Sequence, residues 1–141
     1  MKKLMMTIFV LAIAAIGFFY YDRIQAPIEP GDITIQIVDD TDQIISEEVY
    51  SFDEEDTLLA ILDAHHDLTC ANSNYQPTTC NPDSIFGTVI LGIDDMTTNW
   101  MVDYIAIYVN DEYSTFGIDS IVLTDGDIYR FEYTLVEEMT P

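Results

Sequence analysis

Ile33, Ile35 and Ile37 alternate with Thr34, Gln36 and Val38, then give way to the polar run Asp39-Asp-Thr-Asp-Gln43, a pattern that predicts a strand and a turn. A second strand is expected over about Ile44 to Phe52, making a hairpin with the first. Leu58, Ile61, Leu62, His65 and Leu68 then recur at three- and four-residue steps, the spacing of an amphipathic helix. Thr57 or Asp56 can cap it, and the acidic run Asp53-Glu-Glu-Asp56 stands near its positive end. Tyr104 to Val109 is apolar or aromatic on both faces, as in a largely buried strand, and stops at an Asn110-Asp111 turn. After Asp125-Gly126-Asp127, read as a hairpin turn, Tyr129, Phe131, Tyr133 and Leu135 fall on one face of a strand and Ile128, Arg130, Glu132 and Thr134 on the other. The expected class is α+β: a β-grasp-like mixed sheet in the order β-β-α-β-β-β with one packed helix.

The N-terminus changes where such a domain would sit. Lys2-Lys3 precede Leu4 to Tyr21, whose only polar side chain before the closing tyrosines is Thr7. As a helix this run spans about 27 Å, close to the hydrocarbon thickness of a bilayer. Phe18-Phe-Tyr-Tyr-Asp-Arg23 offers no small-residue cleavage site, so an uncleaved signal anchor is expected, with the lysines inside and the rest of the chain outside. The expected division is a cytoplasmic tip and transmembrane anchor over 1–23, a juxtamembrane stalk over 24–31 containing Pro27, Pro30 and Gly31, and one extracytoplasmic domain over 32–141.

Charge narrows the partners. The chain holds 26 acidic and 4 basic residues; all the acids but Asp22 lie beyond Arg23, where Arg130 is the sole base. That surface repels nucleic-acid phosphates and anionic lipid heads and admits cations or basic proteins, although solvation alone accounts for many acidic faces.

Cys70 and Cys80 bracket a polar loop, and outside the membrane their spacing fits a disulfide. The chain-entropy model gives that cross-link roughly 2.8 kcal/mol. A competing reading takes His65, His66, Cys70 and Cys80 as zinc donors; neighbouring helical histidines point about 100° apart, and His65 on the apolar stripe reads as a core side chain. Asp39-Asp-Thr-Asp42 lacks the glycine and the terminal glutamate of a helix-loop-helix calcium site, so no metal ligands are assigned, and converging acidic turns stand as the alternative. The chain has no Gly-x-Ser-x-Gly, no His-Glu-x-x-His and no phosphate-cradling glycine loop; no catalytic residues are assigned, and a binding module is expected rather than an enzyme.

Tyr104-Ile-Ala-Ile-Tyr-Val-Asn110, Gly117-Ile-Asp119, Asp125-Gly-Asp127 and the aromatic last strand, in this order, resemble the C-terminal domain of transcobalamin and its relatives in bacterial surface proteins. Val49-Tyr-Ser-Phe52, Asp56 to Leu62 and Phe86 to Ile93 extend the resemblance, the last as a central strand. The family often has Asn-Gly at Asn110-Asp111 and Trp at Ile105, where this chain differs. The resemblance implies one wall of a small-molecule site, cobalamin or a related corrinoid being the ligand and no resident cofactor being required. A separate helical domain completes that site in the family. Tyr75 and Gln76 in the loop, Trp100 before the strand and Tyr104 within it are the natural ligand contacts. Each has another reading, Trp100 and Tyr104 as core and Tyr75 as a loop plug. The rival function is an acidic ectodomain that docks a partner membrane or cell-surface protein without a small ligand.

Overall fold

In a computed structural model, which describes residues 12–14, 28–80 and 87–136, the first hairpin forms as the alternation predicts. β1 (Gly31–Val38) pairs antiparallel with β2 (Ile44–Phe52), and Ile33, Ile35 and Ile37 are buried while Thr34 and Gln36 are half-buried. Ile28 packs against the same core just before β1 begins. The expected membrane helix lies outside the described residues except for Ala12–Ala14, which are helical. Among the described residues no helix is long and apolar enough to cross a membrane.

Helix α1 (Leu58–His65) starts at Thr57, whose hydroxyl accepts a hydrogen bond from the Ala60 N–H at 3.2 Å, so one amide that the first turn leaves open is satisfied. It buries Leu58, Leu59, Ile61 and Leu62. The helix is shorter than its periodicity suggests: Leu68 belongs to the next strand, and His65 is exposed, its ring 4.4 Å from that of Tyr50. His66 leaves the helix in an extended conformation, so it is His66 that turns inward.

The polar loop after α1 is flanked by short strands. β3 (Leu68–Ala71), β4 (Pro77–Thr78), β5 (Ile90–Ile93) and β6 (Met96–Thr97) form a second, four-stranded antiparallel sheet in the order β4-β3-β5-β6. The Phe86–Ile93 segment, expected as a central strand, contributes β5 to this smaller sheet, and Phe86 itself lies outside the described residues.

β7 (Asp103–Val109), β8 (Glu112–Tyr113) and β9 (Ile128–Leu135) complete the larger sheet, order β2-β1-β9-β7-β8, in which β1 and β9 run parallel and the other neighbours antiparallel. Asn110 and Asp111 both have positive φ, +50° and +67°, the conformation of a two-residue hairpin whose twist matches its strands. The Asp125-Gly126-Asp127 turn does not join paired strands. It follows a short 3-10 turn (Ile118–Ser120) and docks on the start of β1, where the Asp125 carboxylate accepts the Asp32 N–H at 2.8 Å and the Gly126 N–H bonds the Asp32 carbonyl at 2.8 Å. Gly126 takes φ +84° there, which a side chain would oppose.

One apolar cluster joins the two sheets and the helix. Tyr129 and Phe131 of β9 meet Ile33, Ile35 and Ile37 of β1, Leu58 and Leu62 of α1, and Ile90 and Ile93 of β5. The Tyr129 hydroxyl sits among the Val122 carbonyl, the Thr124 N–H and the Asp127 carboxylate, and burial pushes its pKa up to about 12. The molecule is therefore a mixed α+β structure, mostly sheet, with one main helix.

Candidate functional site

The cysteine loop is built by one asparagine. The Asn72 side-chain oxygen accepts the N–H groups of Asn74 at 2.9 Å and Gln76 at 3.0 Å, and its backbone bonds Tyr75 and Gln76, an Asx turn closed from both sides. The Cys70–Cys80 disulfide ties the base of the loop, with Cα atoms 4.9 Å apart. Both thiols are thereby consumed, which removes them as zinc donors. At the tip of the turn Tyr75 is held at φ +58°, a region a bulky side chain seldom occupies.

Trp100 is presented by a separate turn. The Asn99 N–H bonds the Asp103 carboxylate, and the N–H groups of Val102 and Asp103 bond the Asn99 carbonyl at 2.7 and 2.9 Å. Tyr133 of β9 donates its hydroxyl to the same carboxylate at 2.5 Å, and this bond raises the tyrosine's pKa above its ordinary value.

These two turns, remote in sequence, bring the aromatic rings together. Tyr75 and Trp100 stack with centroids 5.6 Å apart and planes 13° from parallel, and both are well exposed, at 58% and 41%. Trp100 is thus not a core side chain. On one side of the stack is a polar hollow of about 670 Å³ lined by Asn72, Ser73, Tyr75, Thr78, Thr79 and Thr88 among others. A second, smaller hollow of about 210 Å³ is lined by Trp100, Tyr104, Ile107, Tyr113 and Phe116 among others. Thr88 and Val89 border both. Thr88 is fixed by Asp119, whose carboxylate takes its N–H and, at 3.0 Å, its hydroxyl.

Of the four residues singled out in the sequence, Tyr75, Trp100 and Tyr104 converge on this surface, Tyr104 half-buried. Gln76 is exposed on the same loop, but it is not among the residues lining either hollow. Asn72, Thr88 and Phe116 escaped the sequence reading. The Asn-Ser-Asn composition signals the Asx turn; nothing local announces that Phe116 would be left 67% exposed beside Trp100.

Elsewhere, the His66 imidazole Nδ1 lies 2.7 Å from the Asp94 carboxylate, which also accepts the Asp67 N–H at 2.9 Å. Partial burial pushes the Asp94 pKa up, but the bonds from His66 and Asp67 outweigh it and hold the carboxyl below its usual value. Among the described residues no three or more His, Cys, Asp or Glu converge as a metal site would require.

Known proteins place this architecture. No curated protein matches the chain. A solved structure from Ruminococcus gnavus, reported as "a putative metal binding protein", resembles it with a TM-score of 0.54 at 19% sequence identity, over 74% of this chain and 97% of that one. At that identity the likeness is one of fold. A family model described as a domain of unknown function, DUF4430, matches residues 55–134, which include the helix, the disulfide loop and both turns that carry the stacked rings, and the chain belongs to that family.

Proposed function

We propose that the chain is a membrane-anchored extracytoplasmic binding module in which the Tyr75–Trp100 ledge forms one wall of a site for a flat, partly apolar organic ligand of corrinoid-like chemistry. The observation that carries this reading is the exposed stack itself. Two large aromatic rings, delivered by independently pinned turns, face solvent beside a hollow rich in hydroxyl and amide groups. A backbone held at positive φ under a tyrosine costs free energy, and such departures concentrate at binding sites. The hollow's volume is that of an organic-ligand pocket, yet it is open, so a corrinoid would leave much of its surface in water until a second protein closed over it.

The topology, with a hairpin and then a helix followed by a parallel strand at the sheet centre, supports the β-grasp-like description and kinship with the transcobalamin C-terminal domain. The anchor rests on the Lys2-Lys3 and Leu4 to Tyr21 pattern alone. The name given to the Ruminococcus gnavus neighbour raises a metal as an alternative ligand, but the described residues here offer it no convergent donors. Docking of a surface protein is the second reading, favoured by the exposed apolar residues Met101, Val102 and Phe116 beside the stack.

Equilibrium dialysis of the full chain with hydroxocobalamin tests the first reading. The dissociation constant should be no tighter than about micromolar, and Tyr75→Ala and Trp100→Ala should each weaken it about tenfold. Equal binding by the double variant, or no binding at millimolar ligand, would leave protein docking as the surviving reading; a calorimetric response to calcium or zinc instead would favour a metal.

A further inference from the structure

β2 is the outermost strand of the larger sheet: β1 covers one of its sides, and among the described residues no strand covers the other. The direction of its backbone groups follows from β1. The Thr34 N–H bonds the Asp127 carbonyl at 3.0 Å, the Asp32 N–H is taken by the Asp125 carboxylate, and the Asp32 carbonyl is taken by the Gly126 N–H. Asp32 and Thr34 thus turn their backbone groups away from β2, and strand alternation gives Gln36 the same direction. These three stand opposite Ser51, Val49 and Glu47, which makes them the non-hydrogen-bonded pairs of the antiparallel ladder. The N–H and carbonyl groups of Glu47, Val49 and Ser51 therefore face outward. All three residues are exposed, Val49 at 68%, and none of these backbone groups bonds another described residue.

We infer a second binding activity, at a surface separate from the Tyr75–Trp100 ledge: the edge of β2 takes up an extended segment of another protein as an added strand, apolar where it meets Val49 and Tyr50 and cationic where it meets Glu47 and Glu48. Open edges are ordinarily protected by shortness, proline, a bulge or charge. β2 has nine residues, and from Ser46 to Phe52 it carries no proline and no bulge, so charge is the one such device present, in Glu47 and Glu48. Charge rejects only partners of its own sign. A second copy of this chain is such a partner: no lysine or arginine lies on β1 or β2, and Arg130, two strands away on β9, is held by Asp111 and Glu132. A cationic segment meets attraction and no competing base. The Glu47 carboxylate accepts the Gln36 side-chain amide and Glu48 accepts the Tyr50 hydroxyl at 2.9 Å, and each carboxylate keeps acceptor capacity for a lysine or arginine. Main-chain bonds to Glu47, Val49 and Ser51 supply the affinity, and the alternating side chains of the segment supply the selectivity.

The test uses the full chain in a non-ionic detergent and a capped, fluorescein-labelled peptide of sequence TIVRR, read by fluorescence anisotropy. Antiparallel addition sets its threonine, valine and last arginine opposite Ser51, Val49 and Glu47, and its isoleucine and first arginine opposite Tyr50 and Glu48. Saturable binding at about 100 μM is expected, weakening with added salt. N-methylation of the valine, whose N–H faces β2, should weaken it about tenfold, whereas N-methylation of the first arginine, whose N–H faces away, should change it less than about twofold. Val49→Pro removes an outward donor that takes no part in the β1 ladder and should also weaken binding; Glu47→Lys, at an exposed position, should do so through charge. Trp100→Ala, which weakens corrinoid binding, should leave peptide binding as it was. The proposal is overturned if binding is absent at millimolar peptide, if the two N-methylated peptides bind alike, or if a TIVEE peptide binds as well as TIVRR. It is overturned equally if Trp100→Ala abolishes peptide binding, or if sedimentation shows a dimer of the unliganded chain that Val49→Pro or Glu47→Lys dissolves.

Discussion

The two sheets contrast in what holds them. In the five-stranded sheet β1 and β9 run side by side and bury Ile33, Ile35, Ile37, Tyr129 and Phe131 at 1% exposure or less. In the four-stranded sheet β5 alone is buried throughout, β4 is fully exposed, and no strand exceeds four residues. What fixes the smaller sheet is a covalent bond and a set of side chain–backbone hydrogen bonds: Cys70–Cys80, the Asn72 turn, Asp94 on the Asp67 amide, and the Thr98 hydroxyl on the Leu91 carbonyl at 2.5 Å. A surface that must present aromatic rings to water cannot be stabilised by burying them. The ledge is therefore held by polar and covalent restraints, while the hydrophobic effect is concentrated in the sheet next door.

The contrast can be broken most severely from the core. Phe131→Ala leaves a cavity where β1, β7 and β9 meet, and should cost about 3–5 kcal/mol, seen as a lower midpoint in denaturant with both sheets lost together. Replacing Cys70 and Cys80 by serine should cost about 2–4 kcal/mol globally. Its sharper signature is local: hydrogen exchange should accelerate across Leu68–Thr78 more than across β1 and β9. Equal acceleration everywhere would mean that the smaller sheet is no separate unit.

Thr57→Ala removes the helix cap and should cost about 1 kcal/mol, registering on the core side of the comparison. The smallest effect expected is one of pH. Because the Asp94 carboxyl is held below its unfolded value, its contribution is complete at pH values above the ordinary carboxylate range and is lost as pH falls through the lowered folded value. Asp94 is about half exposed, so solvent screening keeps the effect within about 1 kcal/mol. The stability difference between the parent and Asp94→Asn should accordingly shrink on acidification below about pH 4. A difference independent of pH would remove Asp94 from the restraints on the smaller sheet.

Features set by near neighbours were legible in the sequence. The alternation of Ile33, Ile35 and Ile37, the Thr57 cap and the Asn110-Asp111 turn each depend on residues within a few positions, and each appears where the pattern puts it. The smaller sheet was not legible, because strands of two to four residues have too few positions to show a period and become strands only through partners elsewhere. The histidines changed places for a related reason. The periodicity continues through His65 to Leu68, yet the helix ends once His66 can reach Asp94, 28 residues away. The sequence nominated Tyr75, Trp100 and Tyr104 by type and position, but the stacking of Tyr75 on Trp100 depends on the packing of two distant turns and left no mark in either segment.

Arg130 lies half-buried on β9, between β1 and β7, with its guanidinium held by Asp111 and Glu132 and lying 4.5 Å from the centre of the Tyr108 ring. Since no lysine or arginine other than Arg130 follows Arg23, trypsin has a single site in the rest of the chain, and that site is inside a paired strand. A protease must draw its substrate into an extended, unpaired conformation, so cleavage there has to wait until β9 leaves the sheet. The chain thus carries its own unfolding clock: a single cut at Arg130, timed on a gel, counts openings of the central sheet with no label and no engineered site.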